Sequence, residues 1–180
     1  MEKLIIMLLF SICAIGQKKE IPRFFEVIGR LDVRNALVGS APTGGNPEIN
    51  WQIGGNLHLG KGITFGLNYE QFPAIGYYEA SYSVGYVFEP IERLRVNGTI
   101  EPELIFRRGD VENYFKINKN FYGISVNCSI KYEVLPETLP NFCIGLKGGY
   151  QLRGDLQSAG YTKYIIFNGS IEIGYVIILN

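Results

Sequence analysis

INWQIGGNLHLG, residues 49–60, sets Ile49, Trp51, Ile53, Leu57 and Leu59 against Asn50, Gln52, Gly54, Asn56, His58 and Gly60. A period of two marks a β-strand with two unlike faces. Such a strand suits two opposite architectures. In a soluble barrel the apolar face lines the interior. In a membrane barrel the apolar face meets lipid and the polar face is enclosed. The choice between them decides the fold and the range of functions open to it.

The pattern recurs along the chain. Eight segments alternate in this way: 25–34, 49–60, 63–70, 80–88, 94–106, 122–134, 142–153 and 164–179. The first sets Phe25, Val27, Leu31 and Val33 against Glu26, Arg30, Asp32 and Arg34. The last sets Ile165, Phe167, Ile171, Ile173, Tyr175 and Ile177 against Asn168, Ser170, Glu172 and Gly174. The apolar faces carry no charged side chain. The opposite faces carry charges of both signs, among them Arg30, Asp32, Glu70, Arg95, Glu101, Glu103, Lys131, Lys147 and Glu172.

An eight-stranded barrel has an interior that side chains just fill. Gly, Ser, Asn and Thr suit that space, and a large aromatic-rich face does not. The apolar face therefore looks outward. Aromatic placement agrees. Trp51, Tyr69, Tyr82, Phe106, Tyr122, Tyr150 and Phe167 fall towards one end of the strands. Phe25, Phe88, Tyr132, Phe142 and Tyr175 fall towards the other. Two aromatic belts on an apolar exterior match the two lipid–water interfaces.

The connections alternate in length. Those at 35–48, 71–79, 107–121 and 154–163 read as long, and those at 60–62, 89–93 and 135–141 as short. The expected fold is all-β: an eight-stranded antiparallel up-and-down transmembrane barrel with a polar interior. Pro102 interrupts the fifth segment. A closed barrel leaves no free edge for a residue without an N–H, so a bulge is expected there.

Residues 1–16 read as an export signal, with Lys3 before the apolar stretch Leu4–Ile15 and a small-x-small cleavage site at Ala14-Ile15-Gly16. Residues 17–180 would then form the barrel domain. Beyond the signal no apolar run reaches the length of a membrane helix, so a spanning structure has to be a closed sheet. Charge is balanced, with 17 Lys+Arg against 17 Asp+Glu, which argues against nucleic acid as a partner. Cys128 and Cys143 fall on opposite faces of neighbouring strands, so two thiols rather than a disulfide are expected.

This architecture resembles the small eight-stranded outer-membrane barrels, of the OmpA transmembrane-domain and OmpX type, over nearly all of residues 17–180. The resemblance rests on strand pattern rather than on a signature motif. It implies residence in the outer membrane of a Gram-negative-type cell, outer-membrane lipid as the surrounding partner, and insertion by the barrel-assembly machinery. Such barrels often end in an aromatic residue, whereas this chain ends Ile178-Leu179-Asn180.

No catalytic residue, metal site or cofactor is expected. The one histidine, His58, points inward near the Gly60-Lys61-Gly62 turn, away from the long loops where lipid-modifying barrels work, and reads as a lumen hydrogen-bonding group. One His and two separated cysteines give no metal-ligand spacing. Arg108-Gly109-Asp110 matches an integrin-recognised tripeptide, but a turn accounts for it. The inward charges read as an internal ion-pair network that fills the lumen. The expected function is non-enzymatic, structural or surface-interacting through the connections 35–48 and 107–121. A narrow porin-like channel is the alternative. A lipid-modifying enzyme and a soluble lipocalin-like binder stand behind both.

Overall fold

A computed structural model describes residues 22–32, 49–108, 119–134 and 141–179. The strands are β1 (Phe24–Leu31), β2 (Trp51–His58), β3 (Ile63–Phe72), β4 (Tyr77–Ile91), β5 (Leu94–Arg107), β6 (Lys119–Glu133), β7 (Phe142–Arg153) and β8 (Ile165–Ile178). Each pairs antiparallel with the next, and β8 pairs with β1, so the sheet is a closed barrel without edges. Closure matters because it satisfies the backbone hydrogen bonds of every strand within the sheet itself. One short helix, α1 (Gly154–Ser158), follows β7.

The register puts the polar faces inside. Glu26, His58, Thr64, Glu101, Lys131 and Glu172 are buried. The apolar faces are outside, with Leu67 at 72%, Leu146 at 65% and Tyr122 at 78% exposure. This inversion of the usual soluble pattern answers the question posed by residues 49–60: the Trp51–Ile53–Leu57 side is the outer wall. At one end of that wall Trp51 packs edge-on against Tyr69, and Tyr150 against Phe167, with ring centroids 6.1 and 5.5 Å apart. At the opposite end Phe88 departs from its expected place in the aromatic belt. It is 6% exposed, and a register shift follows between Phe88 and Ile91.

Two further expectations are corrected. The connection read as long at 71–79 is short: β3 continues to Phe72, a 3-10 turn covers Pro73–Ile75, and Gly76 at φ 58° leads into β4 at Tyr77. Left-handed φ at this position favours glycine, which is why so tight a turn is possible. The bulge expected at Pro102 is not there. Ser81 pairs with Glu103 and Val84 with Ile100, the same register on both sides of the proline. The ladder to β4 instead lacks the pairs at Tyr82 and Ser83, whereas on the other side Pro102 pairs with Ile124 without interruption. One missing donor facing Tyr82 accounts for both lost pairs, and the sheet absorbs it locally. The irregularity lies at Glu89-Pro90, near the hairpin turn.

Neither Cys128, exposed on the outer wall, nor Cys143, buried, is in a disulfide. The segment 1–16 and most of the connections 35–48 and 107–121 lie outside the described residues.

Candidate functional site

The lumen is filled in three tiers. At the short-turn end, Lys131 Nζ donates to Glu26 at 2.5 Å, and His58 Nε2 lies 3.4 Å from the same carboxylate. Phe24 stacks on the His58 ring at 4.0 Å, and the Arg95 guanidinium sits 4.8 Å above Phe24. Arg95 also faces Glu133 at 3.8 Å. Phe24, Val87, Cys143 and Val176 form a small apolar cluster there. Aromatic and aliphatic groups thus close this end, and the charges beside them are paired, as burial requires.

The middle tier holds Arg30 and Lys147. Arg30 donates to Glu172 through Nε, to Gln52 at 2.7 Å and to Asn68 at 2.9 Å. Lys147 Nζ donates to both oxygens of Glu101 at 2.9 Å, and Thr99 adds a hydroxyl donor to Glu101 at 2.8 Å. These groups come from β1, β2, β3, β5, β7 and β8, so the network ties strands together across the lumen. Inward glycines make room for it: a Cβ on Gly66 would stand 2.0 Å from Asn56 Oδ1 and 2.4 Å from Ser83 Oγ.

Two cavities flank this tier. One of about 60 Å³ lies towards the long-loop end, lined by Asp32, Asn50, Glu70, Glu79, Glu103 and Gln151 among others. The other, about 10 Å³, lies towards the turns beside Asn56, Ser83, Asn97 and Ser129. Arg30, Glu101, Asn127 and Lys147 line both, so they form the constriction between them.

The third tier closes much of the long-loop end. Asp155 of α1 is completely buried and receives Arg107 Nε at 2.8 Å, Arg153 Nε at 2.8 Å and Arg153 Nη2 at 2.6 Å. Arg153 and Arg107 stack over the Tyr77 ring at 4.1 and 5.0 Å. The Tyr77 hydroxyl donates to Glu79, and Gln151 Nε2 donates to Glu79 at 2.7 Å and Glu103 at 2.9 Å. Phe72, Tyr77 and Ile105 cluster beside this group. Burial pushes the Asp155 carboxyl up, but the Arg153 hydrogen bonds and the two guanidinium charges outweigh it and hold it below the ordinary value of 3.8.

The nine charges singled out from the sequence all lie in or beside this lumen. Arg30 meets Glu172, Lys147 meets Glu101, and Lys131 meets Glu26. Asp32, Glu70 and Glu103 line the larger cavity, and Arg95 sits in the plug at the turn end. Tyr77, Glu79, Arg107 and Asp155 were not found that way. Each falls in a stretch read as loop, although Tyr77, Glu79 and Ser81 continue the inward alternation of β4, and Glu103, Ile105 and Arg107 that of β5. Among the described residues no group of three or more His, Cys, Asp or Glu side chains is placed to hold a metal ion.

No family profile matches the chain, and no curated protein matches it. Solved structures do. The N-terminal β-barrel domain of Pseudomonas aeruginosa OprF superimposes with a TM-score of 0.59 at 12% identity, covering 88% of this chain and 100% of that one. Neisserial surface protein A (NspA) gives 0.51 at 12% identity, covering 90% and 100%. A de novo designed transmembrane β-barrel gives 0.50 at 10% identity, covering 89% and 99%. At these identities the likeness extends to fold. A designed barrel among the neighbours makes the same point, since it has this architecture without a biological role. In fold, then, this chain is a small eight-stranded antiparallel barrel of the outer-membrane type.

Proposed function

We propose that this protein is a non-enzymatic, non-conducting barrel of the outer membrane that acts through the loop end of its wall. The observation that carries the reading is the filled lumen. Apolar and aromatic groups plug the turn end, Arg30, Glu101, Asn127 and Lys147 pinch the middle, and Asp155 pins two arginines at the loop end. A barrel packed in this way offers no path for solute, so the surfaces left for function are the connections. In this proposal residues 1–16 direct export, and the connections 35–48 and 107–121 meet a partner outside the cell. The mature protein is expected to begin at Gln17, which intact mass of the membrane fraction checks. Planar-bilayer recording tests the central point: purified, folded protein gives no steady conductance.

A narrow channel is the second reading. The larger cavity supports it, because Asp32, Asn50 and Trp51 on its wall stand at the loop-end limits of β1 and β2. Steady conductance that falls on Glu101→Gln would favour this channel and overturn the proposal. A lipid-modifying enzyme would show itself as altered lipid A in cells overexpressing the protein; unchanged lipid A is expected.

A further inference from the structure

We propose that the smaller lumen cavity is a binding site for one internal water, shared by the side-chain amides of Asn56 and Asn97, and that this water braces β2 against β5 across the lumen. The inference concerns the turn side of the constriction and does not depend on what the loops meet.

Two independent observations coincide there. The first is polar accounting. Asn56 is 3% exposed and Asn97 is 5% exposed. The Oδ1 atom of each has no hydrogen-bond partner among the described residues. A buried carbonyl oxygen without a donor is costly, and folded proteins seldom leave one so. The second is space. Both asparagines line the cavity of about 10 Å³. That volume is at the lower edge of the roughly 10–15 Å³ that one water occupies. The other buried atoms that lack a partner, on Glu26, His58, Thr64, Asn68, Ser81 and Glu172, line neither lumen cavity.

Strand period two delivers both amides. Asn56 shares the lumen face of β2 with His58, and Asn97 shares that of β5 with Thr99 and Glu101. Gly66 pairs with Asn56 across the ladder and makes room for its amide. The place a Cβ would take on Gly66 is 2.0 Å from Asn56 Oδ1 and 2.4 Å from Ser83 Oγ, so the amide oxygen lies beside a second residue of the cavity wall.

The chemistry selects the guest. Both orphan atoms are acceptors, so the guest has to donate twice. The charged groups on the wall are Arg30, Lys147 and Glu101. Lys147 is paired with Glu101 and Arg30 with Glu172, which leaves no surplus negative charge for a cation to meet. An anion would face two carbonyl oxygens. Water is neutral and donates two hydrogen bonds, and its oxygen can accept from the Ser83 or Ser129 hydroxyl on the same wall. Bound in this way it joins strands that the sheet does not join. β2 pairs with β1 and β3, and β5 pairs with β4 and β6.

Two measurements test the site. The first is a crystal structure of the detergent-folded natural chain at a resolution that shows ordered solvent. One oxygen at about 3 Å from both Oδ1 atoms is expected. A dry cavity, protein atoms drawn into it, or a peak at about 2.4 Å from several oxygens, the distance of a bound metal ion, overturns the proposal. The second is a double-mutant cycle of Asn56→Leu and Asn97→Leu, near-isosteric changes that remove the acceptors, followed by denaturant titration. Each single change is expected to lower the folding constant about two- to tenfold, because it strips the water of one partner. The double variant is expected to lose little more than either single one, since the lost bridge is shared. Additive losses would mean that the two amides do not share a ligand. A folding constant that rises in either single variant would mean that its amide oxygen is unsatisfied in the native lumen. Either result overturns the proposal.

Discussion

Asp155 is the residue on which the loop-end plug turns. It is fully buried, and its two oxygens hold Arg107 and Arg153. Removing one partner of a buried pair leaves the other charge uncompensated, so Asp155→Asn is expected to cost about 3–5 kcal/mol. The pH dependence has a definite sign. The carboxyl is held below its ordinary value in the folded state, so its contribution is complete above about pH 4 and is lost as pH falls through the folded value. The midpoint of heat-modifiable mobility should therefore drop on acidification below about pH 4, and Asp155→Asn should lack that part of the drop. Asp155 was not legible in the sequence because it follows Arg153 in a stretch with a Gly and no alternation. Its role depends on α1 folding it back over the lumen, a tertiary event. Arg30, Glu101 and Lys147, by contrast, were legible because strand period two assigns a face without knowledge of neighbours. Which cation meets which carboxylate was not legible, since that requires the register.

Among the elements, β5 tests how a closed sheet tolerates proline. The expectation of a bulge followed from the rule that a proline in a central strand breaks the ladder. The rule held in its cause and failed in its form. The pairs at Tyr82 and Ser83 are missing, yet the register on both sides is unchanged. Pro102→Ala supplies an N–H facing the Tyr82 carbonyl at the same register. One added net hydrogen bond predicts a stabilisation of about 0.5–1.5 kcal/mol. Denaturant titration of the folded barrel would show it as a higher midpoint with unchanged slope; a lower midpoint would mean that the fixed φ of Pro102 matters more than its missing donor. The connection at 71–79 shows the opposite error. Pro73 and Gly76 are strong punctuators, and reading them as a long loop cut β3 and β4 short. Continued alternation through Phe72 and Tyr77 was the overlooked signal, hidden because both inward residues are apolar in a barrel whose other inward residues are mainly polar.

At the scale of the whole molecule, fold and inside–outside polarity have one origin. A sheet whose charged face closes on itself must expose its apolar face, and only a lipid environment makes that exposure favourable. The strand pattern made this visible from the sequence, because the apolar faces carry no charge while the polar faces carry both signs. What fills the lumen in detail, and whether anything enters it, depends on packing that a one-dimensional pattern does not encode. The polarity itself is open to direct measurement. Val84 and Ile144 are 43% and 45% exposed on the outer wall, whereas Ser83 is 2% exposed on the lumen side. With Cys128 and Cys143 replaced by serine or alanine, nitroxide labels at Val84 and Ile144 in reconstituted vesicles should collide with oxygen and be shielded from a polar nickel chelate. A label at Ser83 should be immobile, or should prevent folding, because the lumen has no space for it. Labels at Val84 and Ile144 that meet the chelate as readily as oxygen would place the outer wall in water, and the membrane reading of every strand would fall with them.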